Sequence, residues 1–330
     1  MLRHSTNFSK TSSYYATMAV PDGIIGRICF ISQGFIYGGL SNLALYGFFV
    51  LSGYLFFRNF TFEQTKHKLK SRVKTLLIPY LIWQTIDYSF MALATNLPFI
   101  SQRINTESYS ISIIDFGKSL IIPESIYWYL NYLMIFVVIS PLLYFLFKRR
   151  FASVLYIIGI GTVMQFLGES RFVYSLGCYS IGGILSIYTH SMSLCNSKMP
   201  KHKIRIITAL CVFMLSCFLF IDVVNGIFPI PLRFVINVVG LICLWLLIDS
   251  YSDHIYNTKM LQNSFFIYCS HGIIVTIIKK LAYSLVGFNS VLMICAWLIT
   301  FVLTILLVWL LYKIIYKISP SFLGVICGGR

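Results

Sequence analysis

Apolar residues run along this chain in long blocks, and short polar clusters separate the blocks. A helix needs about 20 mainly apolar residues to cross a bilayer, far more than a strand uses. By that measure the blocks at 43–60, 76–95, 126–147, 151–167, 172–188, 206–221, 234–248, 261–278 and 291–312 predict about nine spanning helices. No low-complexity stretch or soluble segment interrupts them. The expected fold is all-α, a polytopic transmembrane helical bundle forming one membrane domain over 43–316, with a short tail at 317–330.

The polar clusters alternate in charge. Lys66, Lys68, Lys70, Arg72 and Lys74 with Glu63 follow the first block, and Lys148, Arg149 and Arg150 the third. Lys198, Lys201, Lys203 and Arg205 follow the fifth, and Lys313, Lys317 and Arg330 close the chain. The clusters between nearly cancel: Arg103 and Lys118 with Glu107, Asp115 and Glu124, then Glu169 with Arg171, then Asp222 with Arg233. Only Lys279 with Lys280, and the loop of Asp249, Asp253 and Lys259, run against the pattern. Lysine and arginine bias orients membrane proteins, so the basic clusters and the C-terminus are expected in the cytoplasm. The first complete span then runs inward. Residues 1–42 read as the remnant of a first span plus an extracytoplasmic loop.

Composition removes other classes. Of 330 residues, 58% are hydrophobic and 11% charged, with a mean hydropathy of +0.81. Soluble domains carry roughly 25% charged residues. A soluble enzyme, a disordered chain and a secreted disulfide scaffold are therefore excluded. The net charge of +16 is spread in short runs between blocks, so the expected partner is the lipid bilayer and not nucleic acid. The nine cysteines form no C-x-x-C pair and no Cys/His cluster of metal-ligand spacing, and they read as packing residues with no metal implied.

A few residues could carry chemistry, each with a plainer alternative. Ser52 and Gly53, among the aromatics of 46–55, suit close helix packing. The basic run at 66–74 is a topology signal, and also a patch at a helix mouth whose Arg fork and Lys point charges could hold phosphates. Asp87 and His271 lie inside blocks, where ionisable groups cost several kcal/mol and mark functional sites by default. Asp87 reads as structural. His271 shares a helix face with Ser264 and Tyr268, and reads either as a hydrogen-bonded structural histidine or as a site member. His4 alone is a solvated histidine near a chain end.

Taken together and in order, these segments resemble the acyltransferase 3 family of multi-pass membrane acyltransferases. Residues 48–55 (FFVLSGYL) resemble its F-F-x-x-S-G-x-L signature, and 72–83 its basic approach to L-x-x-P-Y-x-x-W. Pro123 with Trp128, Tyr129 and Leu130 resembles P-x-x-x-x-W-[FY]-L. Gly177, Gly182 and the S-F-x-I-Y-x-x-H run at 264–271 extend the match.

The resemblance implies about ten spans, each of roughly 20 residues, with cytoplasmic termini in a bacterial cytoplasmic membrane. It implies an O-acyltransferase, here one moving acetyl from acetyl-CoA, or another acyl group from its acyl-CoA, to a hydroxyl of a cell-surface polysaccharide or lipid-linked glycan precursor. The acyl-CoA is a donor substrate, and no bound cofactor is implied. His4 takes the place of the family's catalytic histidine, and Lys70, Arg72 and Lys74 the place that meets the donor's phosphates. Trp128, Tyr268 and His271 are expected to line the acceptor site or acyl tunnel. A transporter or flippase for a glycan precursor or small solute would use similar bundled helices. A truncated, inactive paralogue is a third reading.

The chain departs from the family pattern twice. The arginine of R-x10-H would fall upstream of Met1, and Arg3 points about 100° away from His4 on a helix. The chain as written is thus expected to lack most of its first span. Where many members carry R-x-x-R, this chain has Arg72 and Thr75, leaving Lys70 and Lys74 as point charges without a second fork.

Overall fold

A computed structural model describes residues 1–5, 23–97, 111–123, 125–168, 170–189, 200–251, 263–286 and 290–329. Among them there is no strand. The helices are α1 (Leu2–Ser5), α2 (Ile24–Phe57), α3 (Thr65–Asn96), α4 (Ile113–Ile121), α5 (Trp128–Phe147) and α6 (Arg150–Leu167). They continue with α7 (Arg171–Tyr188), α8 (Lys201–Asn225), α9 (Ile230–Ser250), α10 (Ser264–Val286), α11 (Ser290–Ile318) and α12 (Pro320–Ile326). Eight helices among the described residues are long and apolar enough to cross a membrane. The protein is all-α and polytopic, as the blocks predict. Glu124, Glu169, Lys198 and Arg330 of the charge pattern lie outside the described residues, as do Arg103, Glu107, Asp253, Lys259 and residues 6–22.

Three segments differ from the expectation. The block at 43–60 belongs to a helix that starts at Ile24, so 24–42 is helical and not loop. Its 34 residues reach about 50 Å, longer than a bilayer core. The block at 172–188 does form α7, but that helix is not among the eight apolar ones. Its Ser175, Gly177, Ser180, Gly182 and Gly183 are buried against protein and need no lipid-facing surface. The tail at 317–330 contains a helix, α12.

The chain forms two compact units. One comprises Phe8–Thr65 and Phe136–Tyr256. At its centre α2 packs on α7 through glycines facing backbone. A Cβ at Gly182 would stand 1.9 Å from the Val50 carbonyl oxygen, and one at Gly53 would stand 2.0 Å from that of Tyr179. Small residues let helices approach this closely inside a membrane. Beside the crossing, Tyr179 is fully buried, its hydroxyl 2.8 Å from Ser140 Oγ and its ring against Phe57 and Phe136.

The polar residues that cancel across the α8–α9 connection meet in this unit. Asp222 is fully buried and pairs with Arg233. Its Oδ1 also accepts the Phe228 N–H at 2.8 Å, across a turn where Gly226 takes φ +64°. Tyr174 donates to the Arg233 carbonyl at 3.1 Å and accepts from Asn237. One ion pair thus shapes the turn and neutralises a charge inside the unit, where an unpaired charge would cost far more.

The other unit comprises Met1–Asn7, Lys66–Ile135 and Asn257–Arg330. Helix α4 is tied to α3 by Tyr80, whose hydroxyl donates to the Leu120 carbonyl at 2.6 Å, and by Gln84, which donates to that of Ser119 at 3.2 Å. Helix α12 packs on the same helix, where Trp83 donates to the Ile326 carbonyl at 3.1 Å. Within α3, residues Val73–Leu77 form a π-helical turn directly after Arg72, a device often found near functional sites.

Candidate active site

Helix α1 packs against α10 and α11 and brings His4 to His271. The two imidazole rings lie 5.3 Å apart at 56°. His4 is exposed, whereas His271 is 4% exposed. His271 Nδ1 faces its own helix, 2.7 Å from the Tyr268 carbonyl oxygen and 3.0 Å from that of Ile267. The Tyr268 ring is 6.2 Å from the His271 ring. His4 is therefore brought, across most of the chain, to the place that Tyr268 and His271 share on α10.

The segment before α5 closes this place from one side. Tyr268 donates its hydroxyl to the Ile126 carbonyl at 2.5 Å, and Tyr127 returns the bond by donating to the Cys269 carbonyl at 2.7 Å. Buried backbone carbonyls need such partners, and here each tyrosine satisfies one on the other element. Gly272 completes the seam, since a Cβ there would stand 2.8 Å from Ile126 Cδ1. Tyr129 adds an edge-on ring contact to Tyr268 at 5.6 Å. Behind the seam Ser125 donates to the Gln84 side chain at 3.2 Å and also meets Asp87.

Trp128 packs edge-on against Tyr132 at 5.4 Å. Its neighbours Tyr127 and Tyr129 make the contacts with α10. Tyr127 sits in the turn before α5, whereas two residues apart inside a helix point to nearly opposite sides, as the basic run shows. Lys70 and Lys74 are exposed on one side of α3, while Arg72 is half-buried. Its companion is Lys68, one turn earlier and also half-buried. The cations named from the motif thus divide into two faces, and Lys68 joins Arg72. The i, i+4 spacing of Lys68 and Arg72 is a sequence signal for that pairing. For Tyr127 the only signal is its place beside the W-Y-L string.

Chemically, the site offers an exposed imidazole backed by a buried one, with tyrosine rings at its side. A neutral imidazole serves as a general base when a hydroxyl must lose its proton.

A family model described as an acyltransferase domain matches residues 4–313. No curated protein and no solved structure matches the chain. The family match begins at His4, runs through Arg72, the tyrosine seam and His271, and ends in α11. With nearly all of its length inside that match and eight helices fit to span a membrane among the described residues, the chain belongs to the acyltransferase 3 family of membrane acyltransferases.

Proposed function

We propose that this protein is an O-acyltransferase that moves acetyl from acetyl-CoA to a hydroxyl of a cell-surface polysaccharide or its lipid-linked precursor. The observation that carries the reading is the exposed His4 imidazole set against His271, in a chain whose family transfers acyl groups. His4 takes the proton of the acceptor hydroxyl as its oxygen attacks the thioester carbonyl carbon. The C–S bond then breaks, and the departing thiolate takes that proton from His4. The products are an O-acetyl ester and free CoA, and no metal enters the step.

Membrane vesicles containing the protein, supplied with acetyl-labelled acetyl-CoA, test the reading. Label is expected to appear in a glycan or glycolipid fraction as an alkali-labile ester. Label that never leaves acetyl-CoA for such a fraction, with the protein present at normal levels, refutes it.

The donor's phosphates call for cations, and the run at 66–74 supplies them on the side expected to face the cytoplasm. Arg72 with Lys68 forms the half-buried pair, better held than the exposed Lys70 and Lys74. Hydrogen bonds to charged groups contribute about 1.5–3 kcal/mol, so Arg72→Ala is expected to raise the KM for acetyl-CoA by about tenfold or more, with kcat nearly constant. Lys70→Ala with Lys74→Ala is expected to raise it less. Initial rates against acetyl-CoA concentration check this, and an unmoved KM in both variants returns the run to a topology signal.

A further inference from the structure

The surroundings of His271 fix more than its position. Its Nδ1 meets two backbone carbonyl oxygens, those of Tyr268 at 2.7 Å and Ile267 at 3.0 Å. A carbonyl oxygen has no hydrogen to give, so the proton between them must belong to Nδ1. In the neutral ring Nε2 is then a bare acceptor. The ring cannot turn freely either, being 4% exposed and tied by Nδ1 to its own helix, with the seam of Ile126 and Gly272 beside it. The His4 ring lies 5.3 Å away with no ring-to-ring hydrogen bond in this structure, and turning the exposed His4 side chain about its own bonds brings a ring N–H within the reach of an N–H···N bond of about 2.9 Å.

We infer that His271 is a positioning residue for His4. Held by its own helix as the Nδ1–H tautomer, it accepts a ring N–H of His4 on Nε2, and so leaves the other His4 nitrogen bare for the acceptor hydroxyl. This inference rests on the reading of His4 as the base. The proton inventory closes without any other group. The hydroxyl's proton passes to the bare nitrogen of His4 as the C–O bond forms, and it leaves with the thiolate when the C–S bond breaks. The other His4 nitrogen keeps its proton and donates it to His271 Nε2 as a hydrogen bond throughout, and His271 itself gains and loses nothing. The order of parts is helix carbonyls, His271, His4, substrate. It follows the logic of a catalytic triad, in which a group that holds the base in the right tautomer contributes on the order of 10⁴-fold.

The test begins with the unaltered protein. In lipid nanodiscs with ¹⁵N-labelled histidine and no substrate, solid-state NMR reads which ring nitrogens carry protons. His271, assigned by its loss in a substituted protein, is expected to be neutral with the proton on Nδ1, and its Nε2 is expected to show a hydrogen bond from His4. A His271 protonated on Nε2, or one without that bond, overturns the inference.

Two substitutions then separate positioning from packing. His271→Gln can place an amide oxygen where Nε2 stood, and is expected to keep kcat for acetyl transfer within about tenfold of the unaltered protein. His271→Asn can still donate to the helix carbonyls but has no atom at that place. It is expected to lower kcat on the order of 10²–10⁴-fold with the KM for acetyl-CoA unchanged, and to mix the His4 tautomers. Equal kcat in the two variants overturns the inference. If His4→Ala leaves transfer intact, the base reading falls by itself, and the His4 tautomer spectra still decide whether His271 sets it.

Discussion

Replacing His4 with alanine is expected to lower acetyl transfer by about 10²–10⁴-fold, the range a positioned general base contributes. The loss should fall on kcat and leave the KM for acetyl-CoA almost unmoved, because the proposed place for the donor's phosphates is on α3 and not α1. Folding should survive the change. His4 is exposed, whereas Ser5 beside it is fully buried in the helix that packs on α10 and α11, so truncating the imidazole opens no interior void. Acetyl-ester content of the glycan fraction, normalised to protein level, is the measurement. Undiminished acetylation at normal level would remove His4 from the chemistry.

Gly182→Ala is expected to destabilise its unit by about 3 kcal/mol or more, the upper part of the usual cost of overpacking. The new Cβ would stand 1.9 Å from the Val50 carbonyl oxygen and 2.9 Å from the Tyr54 nitrogen. Both are backbone atoms, so no side-chain rotation relieves the clash, and α2 must move away from α7. That movement loosens the fit of Tyr179 against Ser140 and the rings of Phe57 and Phe136. Gly53→Ala meets the Tyr179 carbonyl at 2.0 Å from the opposite helix and is expected to cost a similar amount. The two together should cost less than their sum, because the first already opens the crossing. Gly159→Ala and Gly161→Ala on α6 face open space and serve as controls within about 0.5 kcal/mol of the unaltered protein. Melting in detergent followed by size-exclusion elution reads the difference. A Gly182→Ala protein that melts with the controls would contradict the packing.

Much of the fold could be read from block length alone, since a lipid-facing helix must declare itself in apolar residues. The two places where that reading stops short have one cause. Residues 24–42 carry Arg27, Ser32, Gln33 and the glycines at 34, 38 and 39, and α7 carries serines and glycines. Arg27 is exposed, but Gln33, those glycines and the α7 serines and glycines at 175, 177, 180, 182 and 183 are buried against protein, so their burial is tertiary and leaves no hydropathy signal. The Ser52–Gly53 step reads by itself as close packing, and the structure places Gly53 against the Tyr179 backbone.

The candidate site was legible as a set of ordered strings but not as a place. His4 and His271 stand far apart in sequence, and no periodicity relates them. Their proximity comes from α1 packing on α10. Helical spacing does separate Arg72 from Lys70 and Lys74, yet a motif read as a string of cations hides it. Trp128, the most prominent letter of its string, packs on Tyr132, while the tyrosines on either side of it form the contacts to α10.

The seam between α10 and the segment before α5 is fastened by hydroxyls that bond to main-chain oxygens. Such a fastening is indifferent to which side chain stands at the accepting positions, Ile126 and Cys269, within the room that packing leaves. Inheritance must preserve the two donors, Tyr127 and Tyr268, and the small Gly272 beside Ile126, with more freedom elsewhere along the seam. The surroundings of His271 can therefore be re-lined one residue at a time while the wall behind it stays closed.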